Sequence, residues 1–111
     1  MPDYTIEHHS RQRRLVLNGD LTASVIPSLR AALKTELEQG ADEIVFDLGK
    51  TVMLDSSGIG LLIATHNSLT RKQGKVRVVQ ASNDILRMLQ SMRLAGRLNV
   101  TGTQTAEAHN G

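Results

Sequence analysis

Two adjacent serines stand between an aspartate and a glycine, in the order Asp55, Ser56, Ser57 and Gly58. An apolar run precedes this segment and an amphipathic stretch follows it, so a helix is expected to begin here. The first turn of a helix has unpaired backbone N–H groups and the positive end of the helix dipole, and both favour an anion. A phosphorylated serine would add about −1.5 to −2 charges at this position. The segment is therefore a candidate phosphorylation site.

The same segment also has a purely structural interpretation. Ser56 or Ser57 would cap the helix, and Gly58 would ease a tight turn. Residue types alone favour this simpler interpretation. The position of the serines at the start of a helix, where a phosphate is well accommodated, favours modification.

Nucleophilic catalysis by these serines is a poor match to the sequence. A nucleophile elbow, G-x-S-x-G, requires a glycine where Leu54 or Asp55 stands. The best-placed histidine, His66, falls about two turns along the same predicted helix, from where it does not reach the serine. The sequence therefore predicts no catalytic residue and no enzyme.

Metal and cofactor sites are not predicted either. Cysteine is absent, and the adjacent His8 and His9 lack further ligands in a metal-binding spacing. The tripeptide 49–51 resembles the end of a phosphate-binding loop, but Ile44 occupies the position that needs the first glycine. Met88 and Met92 lie at helical spacing and are expected in the core.

The spacing of apolar and polar residues predicts the strands and helices around the serine segment. Short strands are predicted at 4–7, 15–17, 44–48, 76–79 and 98–100. A first helix is capped by Ser24 and stops at Gly40, a second ends at Gly74, and a third is capped by Ser82. Strand pairs followed by helix–strand units predict an α/β domain with a partly parallel sheet backed by helices.

The length of the chain and the distribution of its charges limit the number of domains and the classes of binding partner. The 111 residues suit one compact domain, with no apolar stretch long enough to span a bilayer and no apolar signal core near the start. Residues 1–60 carry nine acidic and six basic side chains, and residues 61–111 carry two and seven. A basic half can indicate nucleic acid, but Tyr4 and Phe46 are the only aromatic residues and offer no stacking platform. We expect a cytoplasmic protein without direct nucleic-acid binding or membrane insertion.

Residues 52–62 closely resemble the signature of STAS-domain anti-sigma-factor antagonists. Asp47 and Leu48 stand where that family's buried strand ends, and residues 18–21 resemble its Gly-acidic-Leu turn. Residues 76–98 are similar to the closing third of the family. The resemblance covers about residues 4–101 and implies a single STAS domain over 1–101, with a sheet of four to five strands, three to four helices and a flexible polar tail over 102–111.

The resemblance implies regulation by partner switching. An unphosphorylated antagonist binds an anti-sigma factor that is often itself a serine kinase, phosphorylation ends the complex, and a serine phosphatase resets it. By position Ser57 would accept the phosphate, and Gly58 would allow close approach of the kinase. The partner surface is expected to comprise Asp20, Thr22, Asp55, Ser56, Ser57, Gly58, Ile59 and Gly60. A monomer that forms a heterocomplex is the simplest expectation.

Two points qualify this assignment. Many members of the family have an aspartate at the position of Thr22, so kinase preference or affinity is expected to differ here. STAS domains also serve as accessory subunits bound to the ATPase of lipid-transport complexes. The intact segment 55–58 favours the phosphorylated switch over that alternative.

Overall fold

The computed structural model describes residues 2–103, which form a five-stranded sheet and three helices. The strands are β1 (Tyr4–His9), β2 (Gln12–Leu17), β3 (Glu43–Asp47), β4 (Lys75–Ala81) and β5 (Val100–Gly102). The helices are α1 (Ile26–Glu38), α2 (Ser56–Thr70) and α3 (Asn83–Ser91). The predicted α/β architecture is confirmed.

The strands follow one another across the sheet in the order β1-β2-β3-β4-β5. The first pair is an antiparallel hairpin that sets Tyr4 opposite Leu17. The remaining pairs are parallel, as their helical connections require, and align Leu15, Phe46 and Val78 across three strands. The sheet is therefore mixed, as predicted.

The helices cover one face of this sheet and bury its apolar side chains. Alternate strand residues point to that face, because successive side chains in a strand point to opposite sides. They form one core with apolar residues of all three helices. From the strands come Leu15, Leu17, Ile44, Phe46, Val76 and Val78, and from the helices Leu29, Leu33, Leu61, Leu62, Leu69, Ile85 and Leu89.

The opposite face of the sheet carries charged side chains around the buried Val45. Arg14 of β2 donates to Asp47 of β3 at 2.5 Å, and Arg77 of β4 lies 3.5 Å from Glu43 of β3. On this face, basic side chains of β2 and β4 therefore form ion pairs with acidic side chains of β3, which lies between them.

The start of α1 differs from the prediction. Val25, not Ser24, is the N-cap, and it makes no side-chain capping hydrogen bond. The preceding residues form a turn in which Val25 N donates to Thr22 O at 3.0 Å, so the helix begins later than expected. Pro27 stands in the first helical turn, where its fixed φ is tolerated. The end of α1 agrees with prediction, since Gly40 follows it at a φ of +98°.

Other differences concern the second half of the chain. Helix α2 ends at Thr70, and a turn leads from there to Gly74. The last strand begins at Val100, two residues later than expected, and Leu98 is a buried core residue that precedes it. Met92 was expected in the core but is 46% exposed, since it follows the end of α3. Ser82 caps α3 as predicted, accepting from Ile85 N at 3.2 Å.

The predicted tail, 102–111, lies almost entirely outside the described residues. Of the helices described, none combines the length and the apolar character needed to cross a bilayer.

An ion pair beneath the hairpin links β2 to α1. Arg13 donates from Nε to Glu36 at 2.7 Å, and both side chains are about nine-tenths buried. Arg13 also donates to the carbonyl oxygen of Ser10 at 2.7 Å, and His8 lies 3.0 Å from the same Glu36 oxygen. These contacts satisfy both charged groups, as burial requires.

We expect Glu36→Gln to lower the free energy of unfolding by about 3–5 kcal/mol, because it leaves the buried Arg13 charge uncompensated. Arg11→Gln removes the more exposed pair between Arg11 and Asp42 and should cost less than about 1 kcal/mol. Urea unfolding followed by circular dichroism measures both. Equal costs for the two variants would contradict the distinction between a buried and an exposed pair.

Candidate functional site

Two loops meet at the end of the sheet and bring the predicted site residues together. The first loop, residues 18–25, joins β2 to α1, and the second loop, residues 48–55, joins β3 to α2. Leu21 and Leu54 form a parallel bridge between them. Leu21 N donates to Met53 O at 3.0 Å, and Asp55 N donates to Leu21 O at 3.3 Å. The site is therefore a junction of two loops, whose bridged residues Leu21 and Leu54 are 33 positions apart in sequence.

Asp20 holds the second loop through its side chain. One carboxylate oxygen accepts from the backbone N–H groups of Val52 and Met53, both at 3.0 Å. Next to it, the buried Thr51 donates its hydroxyl to Gly19 O at 2.8 Å. The carboxylate of Asp20 is thus engaged within the domain.

Asp55 is the N-cap of α2 and also contacts the first loop. One carboxylate oxygen accepts from Gly58 N at 3.0 Å, and the other accepts from Ala23 N at 3.1 Å. An aspartate at this position also favours the helix electrostatically. The interpretation of Ser56 or Ser57 as the cap is wrong, because Asp55 already occupies that position.

Ser56 and Ser57 are the first two residues of α2 and have no capping role. Ser56 is exposed and Ser57 is partly exposed. Among residues 2–103, neither hydroxyl makes a side-chain hydrogen bond and neither backbone N–H has a partner. The Ser57 hydroxyl is therefore available to another molecule, next to two free N–H donors.

Gly58 is buried against the first loop. A Cβ atom at this position would lie 2.4 Å from Leu21 O and 2.7 Å from Leu54 Cδ1. The absence of a side chain is thus needed within the domain itself, for the approach of α2 to the first loop. The expectation that Gly58 serves the approach of a kinase finds no support in this geometry.

The other predicted residues surround the junction. Thr22 is partly exposed, with its hydroxyl 3.4 Å from that of Ser24, and it directly precedes the residue whose N–H binds Asp55. Ile59 is partly buried and packs on the core. Gly60 is exposed, with open space around it. The structure therefore brings together all eight predicted residues, of which Ser56, Gly60 and Asp20 are the exposed ones.

The sequence interpretation missed the apolar surface beside the serines. Val52 is 80% exposed and Met53 is 58% exposed, although their backbone is held by Asp20. The signal was present in the sequence, because a loop was predicted over these residues and apolar side chains in a loop need a partner to be buried. His66, by contrast, is a partly exposed residue of α2, as predicted. Residues 2–103 hold no cluster of three metal-ligating side chains.

We expect Gly58→Ala to lower the free energy of unfolding by about 1–3 kcal/mol, because the added methyl group overlaps the Leu21 carbonyl. The matched control is Gly60→Ala in the same helix. It should raise stability by about 0.5–1 kcal/mol, since nothing lies within 4 Å of its Cβ position. Thermal unfolding of both variants tests the contrast, and a shift of the same sign in both would contradict it.

Replacing Asp55 tests which residue caps α2. Asp55→Ala should cost about 1–2 kcal/mol of unfolding free energy, because Gly58 N and Ala23 N both lose their acceptor. Hydrogen exchange should accelerate at both amides. Unchanged protection of the Gly58 amide would mean that a serine takes over the cap.

Solved structures share this architecture. SpoIIAA from Bacillus in its phosphorylated form is 23% identical, with a TM-score of 0.74 and 95% of each chain covered. An anti-sigma factor antagonist from Mycobacterium paratuberculosis is 22% identical, with a TM-score of 0.78 over 96% of this chain and 92% of that one. A protein from Thermotoga maritima assigned to the same class is 17% identical, with a TM-score of 0.83 over 95% and 91%. At these identities the likeness concerns the fold.

The sequence itself matches a family model described as "Mlab, STAS domain" over residues 4–102. That match takes in every strand and helix of the structure and both loops of the junction. The expected family is thereby confirmed, and the chain belongs to the STAS domain family.

Proposed function

We propose that this protein is an anti-sigma-factor antagonist that works by partner switching. In its unphosphorylated form it binds an anti-sigma factor with serine kinase activity and thereby releases a sigma factor. Phosphorylation of Ser57 ends that complex, and a serine phosphatase restores it. The protein acts in the cytoplasm as a monomeric binding module without catalysis of its own.

One observation carries this proposal: the free hydroxyl of Ser57 beside an aspartate that already caps the helix. Because Asp55 provides the capping oxygen for Gly58 N, the domain does not need a serine for that purpose. A phosphate on Ser57 would therefore break no hydrogen bond among the described residues. It would also lie beside the unpaired N–H groups of the first turn, which favour an anion.

The effect of the phosphate on a partner follows from its position. Unphosphorylated, the junction presents a neutral hydroxyl at Ser57, and Ser56, Val52 and Met53 are also exposed in the same two-loop region. A dianion there would have to be desolvated in any interface that covers the junction, which is costly when no opposite charge meets it. The domain tolerates the phosphate, and a docked partner does not.

The comparisons support this proposal at the level of the fold. SpoIIAA has been solved in an unphosphorylated and in a phosphorylated form, so this architecture is compatible with both states. The junction here has a serine with a free hydroxyl at the start of α2.

A second candidate function is that of an accessory subunit bound to the ATPase of a lipid-transport complex. The observation that favours it is the matched family model, whose description names Mlab and not an anti-sigma-factor antagonist. Such a subunit would use the same junction to hold its partner permanently, and phosphate on Ser57 would have no regulatory role.

Mass spectrometry of the protein from its native cells separates the two candidates. The intact mass and a peptide map across residues 51–71 should show phosphate on Ser57, lost in Ser57→Ala and kept in Ser56→Ala. A wild-type protein without phosphate under all growth conditions, together with a transport ATPase in its complexes, would contradict the switch.

A partner that copurifies with the protein from its native cells allows a second measurement. Ser57→Ala should bind it constitutively, and Ser57→Asp should bind at least about tenfold more weakly, because an uncompensated charge is placed in the interface. Isothermal titration calorimetry gives both affinities. Equal dissociation constants for wild type and Ser57→Asp would refute the electrostatic mechanism.

A further inference from the structure

The first loop begins with an asparagine that is followed directly by a glycine, Asn18 and Gly19. In such a pair the backbone nitrogen of the glycine can attack the side-chain amide carbon of the asparagine. A glycine favours this attack, because it has no Cβ atom to hinder the approach and its backbone reaches many conformations. Both residues are partly exposed, so water reaches them. The pair is therefore a candidate for a spontaneous reaction within the functional region.

The surroundings of the pair leave the attacking nitrogen free. Asn18 N donates to Asp3 O at 2.9 Å, and its side-chain Nδ2 donates to Pro2 O at 3.0 Å. Gly19 N–H, by contrast, donates no hydrogen bond within residues 2–103. Apart from its chain neighbours, no described atom lies within 4 Å of the Cβ position at Gly19. No packed group therefore opposes the backbone rotation that the attack requires.

The other asparagines of residues 2–103 lack this arrangement. They are Asn67, Asn83 and Asn99, and each is followed by a residue that carries a side chain. Asn67 lies inside α2, where the next backbone N–H belongs to the helical hydrogen bonds. Asn99 donates its side-chain amide to Val76 O at 2.7 Å. In this part of the chain the reaction is thus expected at Asn18 alone.

The reaction consumes only water and needs no oxidant, reductant or cofactor. Gly19 N gives its proton to a solvent base and bonds to Cγ of Asn18, the bond between Cγ and Nδ2 breaks, and Nδ2 takes up a proton and leaves as ammonia. Water then opens the resulting cyclic imide at either of its two carbonyl carbons. Opening at Cγ gives aspartate. Opening at the main-chain carbon gives isoaspartate, in which the chain continues through the former side chain.

Isoaspartate inserts an additional carbon into the backbone immediately before the contacts that join the two loops. Gly19 O accepts from the Thr51 hydroxyl at 2.8 Å. The Asp20 carboxylate accepts from the N–H groups of Val52 and Met53, both at 3.0 Å. These bonds require residues 19 and 20 to keep their position relative to β2, because hydrogen bonds weaken steeply when distance or angle changes. A longer backbone at residue 18 displaces both acceptors.

We propose that Asn18 is a site of spontaneous deamidation, and that isoaspartate at this position releases the second loop from the first loop. The inference goes beyond the proposed function and does not rest on it, because neither the reaction nor its effect on the loops needs a partner. The junction is then lost as the protein ages, whether or not Ser57 carries a phosphate.

The first test follows the reaction in the folded protein. Wild type and Gly19→Ala are kept for weeks in warm, mildly alkaline buffer, and tryptic peptides are mapped by mass spectrometry. The peptide 15–30 contains Asn18 as its one asparagine and is separate from the second Asn-Gly pair, 110–111, which lies outside the described residues. Asn67 and Asn83 fall in other peptides and serve as internal controls.

We expect Asn18 to convert in the wild type and the controls to remain intact. Gly19→Ala should slow the conversion at least about tenfold, because the new Cβ hinders the attack and restricts the backbone. The open space at this position allows the variant to fold. If Asn18 stayed intact in the folded wild type while guanidinium-denatured protein converted, the proposal would be overturned. Equal rates in wild type and Gly19→Ala would overturn it too.

The second test measures the effect on the junction. Ion exchange isolates the more acidic, deamidated fraction of the wild type, and the variant Asn18→Asp provides the same charge on a normal backbone. Amide hydrogen exchange at Val52 and Met53 should be at least about tenfold faster in the share of molecules that peptide mapping assigns to isoaspartate. In Asn18→Asp it should stay within about twofold of fresh protein.

Exchange in the deamidated fraction as slow as in fresh protein would overturn the effect on the junction. Equally fast exchange in Asn18→Asp would overturn the role of the lengthened backbone, because charge alone would then open the loops. Neither measurement involves phosphate on Ser57, so failure here is distinct from failure of the proposed function.

Discussion

The carboxylates of Asp20 and Asp55 hold the functional region together through backbone N–H groups. Each one accepts two such hydrogen bonds, and together with the bridge between Leu21 and Leu54 they join the first loop to the second loop. Loop backbone needs such partners, because unpaired N–H groups are costly away from water. Once the loops are joined, the start of α2, the position of Ser57 and the exposure of Val52 and Met53 all follow.

This arrangement separates the parts of the junction that stabilise it from the parts that a partner can reach. Asp55 and Gly58 belong to the first group, since one caps the helix and the other allows its close approach to Leu21. Ser57 belongs to the second, because its hydroxyl has no role in the local hydrogen bonding. A modification of Ser57 therefore changes the surface without requiring the loops to reorganise.

Much of this architecture can be predicted from the sequence, for identifiable reasons. The apolar run 44–48 and the helical spacing around Leu29 and Leu33 give the sheet and α1, because periodicity reports which side chains are buried. The resemblance of residues 52–62 to a known signature predicts the candidate site. The structural roles of the individual residues in that site could not be predicted from the sequence. Which of Asp55, Ser56 and Ser57 caps the helix depends on backbone angles, and the packing of Gly58 depends on Leu21, 37 residues away in sequence. The exposure of Met53 and Met92 likewise depends on where the elements end.

The strands pair in the same order in which they occur in the chain, so the sheet grows at one edge. The eight residues expected at the site end at Gly60, and β4 and β5 are added later at the far edge. Pairing between elements that are neighbours in sequence favours rapid folding, and during synthesis the N-terminal parts fold first. On the ribosome, the loops that carry the serine can thus meet before the last third of the domain has been made. The far edge correspondingly takes no part in the hydrogen bonds that join the two loops.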